Sequence, residues 1–130
     1  MIFLDSERVI EIHDLIIRDT GGASGTLSEG TLDFCIQRHE LYLYGLEIFP
    51  DVFQKAAALM HCIILFHPFV DGNKRTGIVV SSIFLENNNY RLDYERSEAI
   101  PFTIKVAKGN AEILEVAQWL LEHSTFTPSD

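Results

Sequence analysis

The chain has 130 residues, 47% of them apolar, and nineteen acidic residues against ten basic ones leave a net charge of −9. That length and apolar content suit one domain with a real core, and the acidic balance, with no basic cluster beyond Lys74-Arg75, argues against direct binding to nucleic acid or a membrane surface. The first residues, Met-Ile-Phe-Leu-Asp, carry no basic n-region or small-residue cleavage site, and no apolar run approaches the ~20 residues of a membrane span, so a cytoplasmic protein is expected. Cys35 and Cys62 lack C-x-x-C spacing and fall inside expected helices, which reads as a pair of reduced core thiols.

In chain order, Asp5 or Ser6 caps a first helix whose Val9, Ile12, Leu15 and Ile16 recur at helical spacing, and Gly21-Gly22 ends it. His13 lies on that helix beside Asp14, where a local hydrogen-bond partner is the expected use for it. Residues 21–28 read as a glycine-rich loop, and Ser28 caps a short helix to about Arg38. His39-Glu40 has the start of a zinc-protease helix motif, but Leu43 stands where its second histidine would be. Leu41 to Gly45 suits a short extended flap.

Asp51 then caps a helix that is apolar on every face, from Val52 through Ala56, Ala57 and Ile63 to Phe66, which marks it as central. His61 within it reads as a core histidine. A partner helix follows, Thr76 to Glu86, with Gly77 as a close-packing site and Asn87-Asn88-Asn89 as its stop. Tyr90 to Asp93 is a short extended connection. Ser97 opens the next helix, with Pro101 near its first turn and Lys108-Gly109 at its end. Asn110 caps a last helix, Ala111 to about His123, in which Ile113, Leu114, Ala117, Leu120 and Leu121 form a stripe and Trp119 joins the core. The expected fold is all-α, a compact bundle of about six helices over residues 1–123, with residues 124–130 as a frayed polar tail.

Between the two central helices runs His67-Pro68-Phe69-Val70-Asp71-Gly72-Asn73-Lys74-Arg75-Thr76-Gly77. Histidine is the side chain best suited to take a hydroxyl proton near neutral pH, so His67 is the candidate base. Asp71 can hold Mg²⁺ through one carboxylate while phosphates complete its shell. Gly72 can turn left-handed so that backbone N–H groups point inward as an anion nest at the next helix's positive end. Asn73 offers an amide to a phosphate oxygen, and Lys74 and Arg75 offer charge, Arg75 bidentately. Phe69 is expected to be buried beneath the loop. Each residue alone would suit an ordinary helix corner; a base, an acid, an amide and two cations together suit a phosphate-handling site. It is not a Walker loop, which needs G-x-x-x-x-G-K-[ST] after a strand.

This stretch resembles the Fic signature, histidine-proline-phenylalanine-x-aspartate-glycine-asparagine and then arginine, in the lysine-bearing variant of the Doc (death-on-curing) branch. The resemblance extends through Ile12-His13-Asp14, Gly21-Gly22, Phe49-Pro50-Asp51, Ala56-Ala57 and Trp119-Leu120, so it covers most of the chain. It implies His67 as the base, Asp71 as the metal ligand, and Asn73 and Arg75 on the phosphates of ATP. Most Fic enzymes transfer AMP to a protein hydroxyl and have glycine at the position of Lys74 and a second arginine at that of Ile78. The Doc branch implies instead a kinase that moves the γ-phosphoryl to elongation factor Tu and arrests translation. Ser82 to Glu86-Asn87 matches the self-restraining helix pattern of some Fic proteins, but it leaves the active loop and cannot fold back on it. Restraint is therefore expected from an antitoxin with a disordered inhibitory segment. AMP transfer is the alternative, a catalytically dead interaction module a further one, and a metal-dependent hydrolase using His67 and Asp71 is disfavoured because no other ligand cluster is evident.

Overall fold

Helix α3 (Val52–Phe66) and helix α4 (Asn73–Asn87) lie against each other at the centre, and the other elements are arranged around that pair. A computed structural model describes residues 1–128. Helix α1 (Ser6–Thr20) packs on α4, α2 (Glu29–Arg38) packs on α3, and α5 (Arg96–Ala107) and α6 (Ile113–Glu122) close the other side. The result is a helical domain with six helices and two small strand pairs among the described residues. None of those helices is long and apolar enough to cross a membrane.

The capping side chains act as the sequence suggests. Asp5 accepts the Arg8 N–H, Ser28 the Thr31 N–H and Asp51 the Gln54 N–H, each satisfying a first-turn donor that has no carbonyl of its own. Helix α3 is buried along nearly its whole length because its alanines let neighbours approach from every side. The closest of these approaches is at Gly77 of α4. A Cβ there would lie 2.6 Å from Ile64 Cγ1 and 3.2 Å from the Met60 carbonyl oxygen.

Several boundaries and contacts differ from those the sequence suggests. Helix α4 begins at Asn73, directly after Gly72 as the anion-nest reading of the loop has it and three residues before the Thr76 start of its pattern; α5 begins at Arg96 rather than Ser97, and α6 at Ile113 with Glu112 as its cap, so Asn110 and Ala111 belong to the preceding turn. Leu15, Leu114 and Leu121, expected in the core stripes, are exposed because helices on the rim of a small bundle bury less than half their circumference. Ser124–Phe126, expected to fray, form strand β4, which pairs antiparallel with β3 (Tyr90–Leu92) through Tyr90↔Phe126 and Leu92↔Ser124. The last two residues of the expected tail lie outside the described region. Cys35 and Cys62 are not free thiols. The α2–α3 packing brings their Cα atoms to 5.4 Å, within reach of a disulfide, and the two sulfurs are joined.

The expected flap is a hairpin, β1 (Tyr42–Leu43) with β2 (Leu46–Glu47), turning through Tyr44 and Gly45, both at positive φ as a two-residue hairpin turn requires. A feature not visible in the sequence anchors it. Lys55 of α3 is only 1% exposed, and its ammonium donates to Glu47 Oε2 at 2.5 Å and to the Phe49 carbonyl at 2.6 Å. A buried ammonium is costly unless paired, so these two acceptors fix the outgoing strand to the central helix.

The Gly77 contact is testable. Alanine normally favours a helix interior over glycine by about 1 kcal/mol, but Gly77→Ala should destabilise the protein by about 1–3 kcal/mol because the Met60 carbonyl opposite cannot move aside. Urea unfolding measures this; a stabilised variant would contradict the close approach.

Candidate active site

The sequence His67 to Gly72 must reverse the chain between two helices that are packed hard together. Two left-handed residues achieve this. His67 caps α3 at φ 53, ψ 62 with its N–H on the Ile63 carbonyl, and Gly72 precedes α4 at φ 76, ψ 20. A left-handed backbone is easy for glycine and uncommon for histidine, and it persists only where the surroundings enforce it. At His67 it turns the side chain out, and the residue is exposed.

The surroundings that enforce it are on three sides. Below, Phe69 is buried, and Asn73 clasps its backbone: the Phe69 N–H donates to Asn73 Oδ1 at 3.0 Å and Asn73 Nδ2 donates to the Phe69 carbonyl at 2.9 Å. On one flank the glycine loop runs antiparallel to the active loop. Leu27 and Ser28 donate to the Pro68 carbonyl, Val70 donates to the Gly25 carbonyl, and Thr26 bridges Phe69. From α1, His13 reaches in. Its ring lies parallel to that of Phe69, 3.9 Å away, and its Nε2–H donates to the Asp71 carbonyl at 2.8 Å. His13 does have a hydrogen-bond partner, as the sequence suggests, but the partner is the active loop itself, 58 residues on.

Asp71 is thereby held by its backbone with its carboxylate outward. Oδ2 accepts the Ala23 N–H at 3.2 Å and Oδ1 the Gly72 N–H at 2.9 Å. A Cβ on Gly22 would stand 2.6 Å from Oδ2, so only glycine fits beside it. Those two amides, Ala23 first, hold the carboxyl below its ordinary pKa; slight desolvation opposes them, and the nearby His13 and Lys74 act in the same sense as the amides. The group is exposed and ionised, and with one amide on each oxygen it keeps acceptor capacity in reserve. That fits a ligand for one hard cation. Among the described residues no cluster of three His, Cys, Asp or Glu side chains could hold a metal without help, so any further ligands would come from substrate and water.

The start of α4 fits an anion. Its cap is Gly72, with no side-chain cap and no acidic residue in the first turn, while Lys74 and Arg75 stand in that turn. Uncapped N–H groups, the positive dipole end and two cations all repel one another, at roughly 0.3–1 kcal/mol per charge. An anion at that point relieves all three. Lys74 and Arg75 also line a cleft of about 560 Å³ between α4 and α5, whose walls include Ile78, Val79, Ile100 and Ile104.

These features are accompanied by matches in sequence. The family model described as the Fic/DOC family fits residues 3–85. The chain belongs to the Fic/Doc family. It is similar to "Toxin Doc" of Mycolicibacterium smegmatis, 30% identical over 117 residues that make up 88% of each chain. It is also similar to "Protein kinase doc" of Escherichia phage P1, 28% identical over 120 residues, 92% of this chain and 94% of that one.

Of the residues singled out in the sequence, this Fic/Doc fold brings His67, Asp71, Gly72, Lys74 and Arg75 to one outward-facing corner. Asn73 points the other way: it is buried, and its amide is engaged with the Phe69 backbone. Sequence reasoning misses three supports of the Fic/Doc loop: His13, the Ala23 amide and the contact of Gly22 with Asp71. Their motifs, Ile12-His13-Asp14 and Gly21-Gly22, are visible, but nothing in their spacing shows which loop they meet.

Because the folded pKa of Asp71 is depressed, its bonds to Ala23 and Gly72 contribute stability above its unfolded pKa, and they are lost as pH falls through the folded one. In an NMR titration the Ala23 and Gly72 amide protons should shift together, with a midpoint below the ordinary aspartate value. A midpoint at or above that value would contradict the docking of the carboxylate.

Proposed function

We propose that this chain is a Doc-like toxin that transfers the γ-phosphoryl group of ATP to a hydroxyl of a protein in translation, elongation factor Tu by family resemblance, and so stops protein synthesis in the cytoplasm. The observation that carries this reading is the exposed corner where His67, the Asp71 carboxylate and the uncapped, cation-bearing start of α4 meet. The family membership and the two Doc relatives support it. ATP with Mg²⁺ would supply the phosphoryl group and neutralise its charge, with Asp71 holding the ion and the first turn of α4, Lys74 and Arg75 holding the phosphates.

In that reading His67 would take the proton from the substrate hydroxyl as its oxygen bonds to the γ-phosphorus, while the bond from that phosphorus to the bridging oxygen breaks and ADP leaves with the electron pair. The exposed position and outward ring of His67 leave room for a protein surface to approach. Asn73, whose residue type suggests a phosphate contact, instead serves by locking Phe69 so that His67 and Asp71 keep their spacing. Lys74 favours the terminal phosphate over the α-phosphate. Members that transfer AMP have glycine there, which lets the backbone approach closely, whereas here a lysine side chain fills that space. Ile78, in the place of their second arginine, is buried and lines the cleft as an apolar wall.

That cleft is also the place we assign to a restraining antitoxin. Its Ile78, Val79, Ile100 and Ile104 offer an apolar floor, and Lys74, Arg75 and Arg96 offer cations at the edge. A disordered acidic-apolar segment could order itself there and cover the two active-site cations.

Incubation of purified protein with a translation extract and labelled ATP tests the proposal. The target should gain label from the γ position and none from the α position. His67→Ala should lower transfer by roughly 10²–10⁴ with the unfolding midpoint unchanged, and EDTA should abolish transfer in the unmodified protein. Label from the α position would establish AMP transfer instead, and no label with no nucleotide binding would leave an interaction module.

A further inference from the structure

Arg38, the last residue of α2, sits half-buried with its guanidinium over two aromatic rings, Phe34 at 5.4 Å and Phe49 at 5.7 Å. Among the described residues its guanidinium has no hydrogen-bonded or ionic partner. Of the acids on flanking segments, Asp33 accepts from the Ser6 hydroxyl and Glu47 from the Lys55 ammonium, and Glu40, exposed two residues on, makes no ion pair with Arg38. Burial lowers the guanidinium's hold on its proton, the mark of a cation that has lost water and gained no anion. Other cations without an ion pair, such as Lys74, Arg75 and Lys108, are exposed to water, whereas Arg38 is half-buried.

The surface around it is apolar and open. Phe34 and Phe66 meet edge to face, 6.4 Å apart, and each is about half exposed, at 53% and 50%. Leu41, Tyr42 and Leu43 of the hairpin segment are exposed as well. Phe66 is joined directly to His67, so the patch abuts the proposed base. An arginine held by aromatic rings within an apolar surface is the composition of an interface anchor rather than of ordinary solvated surface.

We propose that this patch docks the protein to be modified, as an extended segment that places an Asp or Glu carboxylate on Arg38 and apolar neighbours on Phe34 and Phe66. This rests on the reading of the chain as a protein-modifying transferase and names what that enzyme recognises. Charge complementarity selects the occupant: the guanidinium offers a fork of donors that a carboxylate meets bidentately. At about 3.3 Å per extended residue, the contacts from Arg38 to Phe34 and from Phe34 to Phe66 span roughly three to four residues, and with the step on to His67 the proposal expects the acid on the order of three to five residues from the hydroxyl.

The test uses the full chain, fluorescently labelled, on an array of short synthetic peptides that each carry one Ser or Thr, with a parallel array given γ-labelled ATP and unlabelled protein. Bound peptides should be enriched in Asp or Glu at that spacing with apolar flanks. Arg38→Gln should weaken their binding about tenfold or more, Arg38→Lys less, and neither should change the thermal midpoint or the affinity for ATP. Peptides selected this way should also compete with the protein target for labelling.

Binding without acid preference, or a preference that Arg38→Gln leaves intact, overturns the docking surface. So does a concentration-dependent dimer abolished by Arg38→Gln in sedimentation experiments, which would assign the patch to a second copy of the chain. The arms separate the two claims: acid-selective, Arg38-dependent binding with no ATP label on any target would defeat the transferase reading, whereas labelling that ignores Arg38 would defeat the docking surface alone.

Discussion

The close approach of α3 and α4 at Gly77 is the constraint from which the candidate active corner follows. With no side chain at that position, the two helices run nearly in contact, and the chain must reverse between His67 and Gly72 with little room. A relaxed loop would be longer and would bulge away. Here the reversal is tight enough to need a left-handed residue at each end, and one of these is the histidine that faces solvent. The unfavourable backbone at His67, of order 1–3 kcal/mol, is offset by the hydrophobic and hydrogen-bonded supports that surround the loop.

Those supports divide the loop's residues into two sets. Phe69, Asn73 and the backbone of Asp71 face inward and are bound, by burial, by the reciprocal pair to Phe69 and by His13. The ring of His67, the carboxylate of Asp71 and the cations Lys74 and Arg75 face outward. The inward set leaves the outward set few alternative positions, which is the preorganisation that the proposed catalysis needs. The supports come from α1, from the glycine loop and from α4, so changes far from the corner in sequence should be felt there.

Much of this architecture is legible in the residues alone. The helices are, because apolar spacing and capping residues act within a few positions of one another, as at Asp5, Ser28 and Asp51. So is the grouping of His67, Asp71, Lys74 and Arg75, which lie close together along the chain. What is not legible depends on distant partners or on elements too short to show a period. Strand β3 lies where a short extended connection is expected, but its partner β4 is not foreseen, because the polar composition around it suggests a frayed tail instead. Cys35 and Cys62 are 27 residues apart, and only the packing of α2 on α3 joins them. Lys55 looks like a first-turn polar residue beside Gln54 at the start of an apolar helix; its partners Glu47 and Phe49 give no sign in the sequence. Asn73 suits a phosphate by its residue type, and only the folded loop reveals that its amide is already engaged with Phe69.

The start of α4 holds the main electrostatic imbalance of the corner. Helices usually place acids or a capping side chain in the first turn, and this one has neither, while Lys74 and Arg75 stand where they oppose the helix dipole. A stable fold tolerates such an arrangement when something outside it supplies the missing negative charge. The Asp71 carboxylate supplies part of it, since its charge and that of Lys74 favour each other. But Asp71 is one charge against two cations and a dipole, and its oxygens already accept the Ala23 and Gly72 amides. The remaining imbalance lies at the end of the loop that His67 opens, and in the proposed function an arriving phosphate meets donors already in place there rather than donors it has to gather.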